Sequence, residues 1–286
     1  MVVLAPFRGA FFVSSLAIRA QGAYNGAKEK REEDVTMIRV EKIQIPTLPT
    51  KKPRRLYIYT PKGYGESEER YPVLYMFDGH NVFYDSHATY GRSWGMKQYL
   101  ERTKLPIILV AVECNWEGEN RMNEYAPFDI VWKGKLLFEA RGQKTMDWIV
   151  NELKPRIDRE YRTMPDRDHT LIAGSSMGGL MALYAAVAYN RTFSRAAALS
   201  PSLWALRHHE AELLKAAPLS QPTRIYMDMG TEETDGHITV LTGLFAAAQR
   251  LTRAGACVDA RIVPDARHSE AYWEQRIPVF MEYLLR

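Results

Sequence analysis

Short apolar runs alternate with longer amphipathic stretches along most of this chain, and the two periods predict its elements. Met37–Ile45 and Arg54–Thr60 alternate as strands do, and the proline-rich turn Pro46–Pro53 joins them. Tyr71–Phe77 is a continuous apolar run ending at Asp78-Gly79, the pattern of a central strand buried on both faces. Pro106–Val112, His169–Ala173, Ala196–Ser200, Thr223–Met229 and Val258–Val263 read as further strands. Helical patterns cover Trp94–Arg102, Gln143–Arg159 (interrupted late by Pro155), Leu180–Tyr189 and a polar stretch around Glu210–Ala216. Two more cover Ile238–Ala254, which Gly255 ends, and Glu270–Leu285, which has an aromatic face. Strands alternating with helices predict an α/β fold: a mostly parallel central sheet with helices on both faces and chemistry at the carboxyl ends of the strands. Residues 36–286 contain no linker, low-complexity tract or internal repeat, so they are expected to form one domain.

Composition narrows the class without naming the chemistry. The net charge of +4 is spread along the 286 residues, and the densest basic cluster, Lys51-Lys52 with Arg54-Arg55, is too short for a nucleic-acid surface. Cys114 and Cys257 lie far apart after apolar runs and are expected to be buried free thiols. No CxxC or HExxH pattern offers a metal site, and no cofactor is implied. Residues 1–35 are expected to be a poorly structured extension. Its apolar segment Gly9–Ile18 is too short to span a membrane, and Arg19 stands where a signal peptidase needs small residues. A cytoplasmic protein is the expectation, with secretion as the alternative.

One stretch carries chemistry. Gly174-Ser175-Ser176-Met177-Gly178 is a G-x-S-x-G pentapeptide between a predicted strand and a predicted helix. A sharp strand-to-helix turn holds such a serine in a strained conformation and exposes its hydroxyl. Glycines flank it because side chains there would strike the neighbouring strand or helix. The N-terminus of the new helix aims backbone N–H groups at the place where an oxyanion would form. The bland alternative is a glycine-rich turn that packs a helix on a sheet.

A serine hydroxyl needs a base, and the base needs an orienting acid. In strand–turn–helix sites of this kind the chain order is nucleophile, acid, histidine. His80, His87 and His169 precede Ser176; His208 and His209 fall in a polar helix start, and His237 lies where the acid is expected. His268 remains, in the loop Pro264–His268 between the last strand and the last helix. The acid should follow the strand ending at Met229, where Glu232, Glu233 and Asp235 are all available. Order alone does not choose among them.

From about residue 40 to its end the chain resembles the putative-esterase family of α/β-hydrolases, which includes enterochelin-esterase-like, feruloyl and acetyl-xylan esterases. The resemblance is carried by Asp78-Gly79-His80-Asn81, Ser93-Trp94-Gly95-Met96, Arg121-Met122-Asn123-Glu124-Tyr125, Ala173–Gly179 and Ser200-Pro201-Ser202-Leu203-Trp204. It implies an α/β-hydrolase fold. Matching the family's Gly-Thr-x-Asp/Glu turn to Gly230-Thr231-Glu232-Glu233 selects Glu233 as the acid, with Glu232 as rival. It also implies an oxyanion hole made by the backbone N–H groups of Met177 and His80.

The resulting expectation is a serine esterase acting through an acyl-enzyme on Ser176, with carbohydrate-linked or small carboxylic esters favoured. A siderophore trilactone esterase, an acyltransferase and a noncatalytic binding module are the alternatives. Trp94 and Trp204 are expected either to wall a substrate pocket or to pack the core. Arg121 and Glu124 are expected to pair with each other. The apolar segment Phe128–Arg141 is read as a small lid or as a packed excursion.

Overall fold

Strands buried on both faces must be covered by helices on both sides, and the chain folds accordingly. The computed structural model describes residues 38–49, 52–206, 209, 213, 219, 221–233 and 238–286. The expected N-terminal extension, the helix around Glu210–Ala216 and the rival acid Asp235 lie outside these residues, wholly or in large part. Ten strands and seven helices are used below. In chain order they are β1 (Ile38–Ile43), β2 (Arg54–Tyr59), β3 (Val73–Met76), α1 (Met96–Thr103), β4 (Ile108–Val112), α2 (Asn120–Glu124), β5 (Ile130–Trp132) and β6 (Lys135–Phe138). There follow α3 (Gly142–Trp148), α4 (Lys154–Glu160), β7 (Thr170–Ser175), α5 (Met177–Ala188), β8 (Arg195–Leu199), β9 (Thr223–Gly230), α6 (Ile238–Arg253), β10 (Ala256–Val263) and α7 (Glu270–Leu285).

Eight strands form one sheet in the order β1-β2-β4-β3-β7-β8-β9-β10. The pairs β1/β2 and β2/β4 are antiparallel, and every pair from β4 to β10 is parallel. Side chains alternate across the sheet as the two-residue period requires. Val73, Tyr75 and Ile172 join the core beneath α3 to α6, whereas Leu74, Met76, Leu171 and Ala173 join the core beneath α1 and α7. This is the α/β-hydrolase fold. The β3–β7–β8 centre is buried on both faces, so its carboxyl edge is a rigid platform for the loops that follow each strand.

Several expectations needed correction. The predicted helix over Gln143–Arg159 is not broken at Pro155. A π-helical turn, Ile149–Leu153, joins α3 to α4 and sets Pro155 in the first turn of α4, where a missing N–H costs little. Cys257 is exposed on the sheet's last strand; Cys114 is buried, and both are free thiols. Arg121 and Glu124 do not pair with each other. They share the short helix α2 but point to different partners, Arg121 to Asp78 and Glu124 to Arg54. The Phe128–Arg141 segment forms a separate two-stranded antiparallel sheet, β5–β6. Its turn residues Lys133 and Gly134 both have positive φ (48° and 75°), the type I′ geometry that suits a two-residue hairpin.

The Arg54–Glu124 pair ties β2 to α2 deep in the molecule. Both guanidinium ends donate to the carboxylate at 2.7–2.8 Å, and the side chains are 2% and 3% exposed. Removing one partner strands the other charge. Arg54→Met should therefore lower stability by about 3–5 kcal/mol in urea denaturation, and the double change Arg54→Met with Glu124→Leu should recover a large part of that loss.

Candidate active site

Ser176 sits in the turn between β7 and α5 with φ 57° and ψ −124°, a backbone conformation that costs an L-residue on the order of 1–3 kcal/mol. The turn is forced by close approach of strand and helix. A Cβ on Gly174 would lie 2.5 Å from the Gly178 backbone, and one on Gly178 would lie 3.0 Å from Phe77 Cβ. Backbone bonds then fix the turn, with Ser176 N–H donating to Leu199 at 3.0 Å and Ser202 N–H donating to the Ser176 carbonyl at 3.1 Å. Ser176 Oγ shares a 3.5 Å hydrogen bond with Ser202 Oγ rather than with His268. Bonds between a nucleophile and its base often tighten only when substrate arrives.

The structure brings His268 and Glu233 together. His268 Nδ1 lies 2.8 Å from Glu233 Oε2, which makes Nδ1–H the donor and leaves Nε2 as the basic nitrogen. The other carboxylate oxygen, Oε1, accepts from Ser200 Oγ–H at 2.7 Å, Gly230 N–H at 2.9 Å and Arg276 at 3.2 Å. Burial pushes the Glu233 carboxyl up, but the hydrogen bonds from His268 and Ser200 outweigh it and hold the group below its ordinary range. Glu232, its rival, is exposed, and its N–H donates to the Ala266 carbonyl at 3.0 Å. With Asp265 N–H donating to Thr231 Oγ1 at 2.9 Å, that bond ties the acid's turn to the histidine's loop. Trp273 meets the His268 ring edge-on at 5.0 Å.

Local pattern gave no sign of the group behind Glu233. Arg276 and Asp228 are 4% and 0% exposed and bond at 2.8 Å; Asp228 also accepts from Tyr226. The available signal was a charge on a buried stripe, since Arg276 shares the face of α7 that holds Trp273, Ile277 and Phe280.

On the opposite wall, His80 occupies a buried 3-10 turn after β3, and Asp78 before it has φ 54°. Among the described residues, neither the His80 N–H nor the Met177 N–H donates to a protein acceptor. The Asp78 N–H donates to the Tyr125 hydroxyl at 3.0 Å, and its carboxylate takes two 2.8 Å bonds from Arg121. Burial raises the Asp78 carboxyl, and Arg121 more than reverses the shift. Asp78, His80 and Cys114 place ligating atoms within 4.8 Å of one another. Arg121 already donates to both Asp78 oxygens and burial keeps the Cys114 thiol protonated, whereas His80 Nδ1 is buried without a hydrogen-bond partner.

Ser176, His80 and His268 line one cavity of about 360 Å³, with Arg121, Glu270 and Trp116 on its walls. Trp204 is half exposed and lines a neighbouring cavity that also touches His268 and Glu233. Trp94 is not a pocket wall. It is 3% exposed and packs against Trp273 and Phe280, because the chain after β3 turns it under α7.

The sequence model of the family described as "Putative esterase" matches residues 49–283. The chain belongs to that esterase family. It is 26% identical over 188 residues to the uncharacterized protein YbbA of Bacillus subtilis, covering 63% of this chain and 69% of that one. An IroE-like serine hydrolase from Shewanella oneidensis superposes with a TM-score of 0.68 at 23% identity, over 87% of this chain and 79% of the other. S-formylglutathione hydrolase (FrmB) from Staphylococcus aureus gives 0.61 at 17% identity, over 87% and 96%. This esterase therefore shares the fold of serine hydrolases, and no helix among its described residues is long and apolar enough to cross a membrane.

The buried His80 ring should leave a mark on acid stability. Burial lowers its pKa below the ordinary 6.5, so below that pH the unfolded chain binds a proton that the folded one resists. Stability is unaffected above 6.5, falls as the pH drops below it, and stops falling once the folded ring also protonates. His80→Gln should flatten the decline of the urea midpoint between pH 7 and pH 5; a steeper decline would contradict the assignment.

Proposed function

We propose that this esterase hydrolyses carboxylic esters with Ser176 as nucleophile, His268 as general base and acid, and Glu233 as the carboxylate that orients His268. The carrying observation is the 2.8 Å bond from His268 Nδ1 to Glu233 Oε2, whose partner oxygen already accepts three hydrogen bonds, beside the cavity where Ser176 is held at positive φ. Ser176 Oγ attacks the ester carbonyl while His268 Nε2 takes its proton, and the N–H groups of His80 and Met177 receive the oxyanion. His268 then protonates the departing alkoxide. Water, activated by the same nitrogen, releases the acid from Ser176. Imidazolium forms in both halves next to a buried carboxylate whose second oxygen is already occupied, so one defined oxygen, Oε2, faces the charged ring.

A neutral ester fits the walls better than a strongly anionic one. Arg121 is the cation facing Ser176, and Asp78 offsets its charge with two hydrogen bonds. Among similar structures are a ferulic acid esterase and the enterobactin and salmochelin hydrolase IroE, so relatives alone leave the ester class open. The free thiols of Cys114 and Cys257 favour the cytoplasm over an oxidising compartment.

Ser176→Ala should lower hydrolysis of p-nitrophenyl acetate on the order of 10⁴-fold or more with an unchanged circular dichroism spectrum. Undiminished turnover would exclude the mechanism. Glu233→Gln should cost about 10²–10⁴-fold in kcat. Because the wild-type carboxyl is held below its ordinary range, it stays ionised at pH 5 and pH 8 alike, so protonation of Glu233 itself should not contribute to any loss of wild-type activity between them.

A further inference from the structure

Exposed apolar surface is concentrated along one track that begins at the catalytic cavity. Ten large hydrophobic side chains are exposed among the described residues. Tyr90 and Trp116 belong to the cavity that holds Ser176. Trp204 and Val240 wall the second cavity, and Val131, Trp132 and Leu137 wall a third of about 400 Å³ beneath the β5–β6 hairpin. Seven of the ten therefore border these three spaces. The spaces share walls: His268 borders the first and second, and Trp204 borders the second and third. A soluble protein rarely gathers its exposed apolar residues in one place without an occupant.

We infer that this track, running from His268 past Trp204 to the hairpin residues Trp132 and Leu137, binds an extended apolar or aromatic arm of the ester. The inference rests on the serine-esterase reading above and adds a substrate class to it. Proximity to the reaction centre makes the occupant part of the substrate: Ser202, whose hydroxyl lies 3.5 Å from Ser176 Oγ, lines the second cavity, so an arm attached to the carbonyl at Ser176 would pass between Ser202 and His268 to reach Trp204. The walls suit such an arm. Trp132 and Trp204 are 55% and 51% exposed, so each offers ring surface that bulk water now covers. Phe128 and the His209 ring stack at 4.8 Å, with His209 forming part of the far wall. A methylene moved from water onto such walls is worth up to about fourfold in binding. An acetyl group would leave the whole track in water.

Two substrate series decide the matter and say which side of the ester carries the arm. One is p-nitrophenyl acetate, butyrate and octanoate; the other is the acetates of methanol, butanol and octanol, all below their aggregation limits, with Ser176→Ala as blank. In the wild type, kcat/KM should rise about tenfold or more from shortest to longest member in at least one series. Trp132→Ala and Leu137→Ala should each reduce that longest-to-shortest ratio by about fivefold, taken within each variant so that any general loss of activity cancels. A flat or falling response in both series overturns the inference, as does an unchanged ratio in both variants. Wild-type dimers that Leu137→Ala converts to monomers in sedimentation would assign the hairpin to a second copy of the chain and also overturn it. If Ser176→Ala hydrolyses both series as well as wild type does, the catalytic reading has failed instead, and the two failures stay distinct.

Discussion

Glu233 Oε1 accepts hydrogen bonds from Ser200, Gly230 and Arg276, which leaves Oε2 alone to face His268. A carboxylate with one free oxygen could otherwise rotate and offer the histidine either. Here the donors come from the end of β8, the end of β9 and the buried face of α7, so the orientation of the imidazole depends on how that helix seats on the sheet. Arg276 also binds Asp228, and one guanidinium therefore separates two buried carboxylates that would repel each other without it. Trp273, one turn earlier, donates to Ser200 at 2.9 Å and braces the His268 ring. A single helix thus supplies the cation, the hydrogen-bond donor and the wall.

The serine has a different origin. Its positive φ persists because the β7–α5 crossing cannot relax: Gly174 and Gly178 touch backbone to backbone, and eleven residues of α5, from Met177 to Val187, are buried. The local strain is small beside the burial that fixes both elements. Position along the chain then explains why the partners meet. Parallel strands β7, β8, β9 and β10 lie side by side, so the loops after them emerge at one edge, although Ser176 and His268 are separated by most of the second half of the sequence.

That arrangement was legible in the sequence wherever burial on both faces produces continuous apolar runs, as in Tyr71–Phe77 and His169–Ala173. Ser176 and His268 could be named from chain order, and Glu233 only with the help of the resemblance. What could not be read were partners chosen across the fold. Arg121 and Glu124 are neighbours in sequence, yet each is drawn to a buried opposite charge on another element, Asp78 or Arg54. Trp94 carries no local mark that distinguishes a core tryptophan from a pocket tryptophan, because the same ring serves both and only the path of α7 decides. The hairpin was missed for another reason: Lys133-Gly134 adopts a turn usually signalled by Asn-Gly, and a lysine in the left-handed region is rare enough to be overlooked.

The construction of that hairpin bears on whether it opens and closes over the site. A two-stranded sheet by itself is marginal in water. This one is anchored at its base: Asn123 Oδ1 accepts the Glu139 N–H at 2.8 Å, Asp129 Oδ1 accepts the Ala140 N–H at 2.7 Å, and Ile130 is buried in the main core. The next backbone bond, Arg141 N–H to the Asn123 carbonyl at 3.1 Å, continues the attachment into α3. The second leg is therefore tied to α2 and runs into α3, the Asp129–Ala140 bond holds the first leg to it, and most of the hairpin, Val131, Trp132, Leu136 and Leu137 included, stands in solvent. A flap that swings needs a loose base and a tip that finds apolar cover when it shuts. Here the tip is apolar but the base is hydrogen-bonded, so the hairpin meets the second of these requirements and not the first.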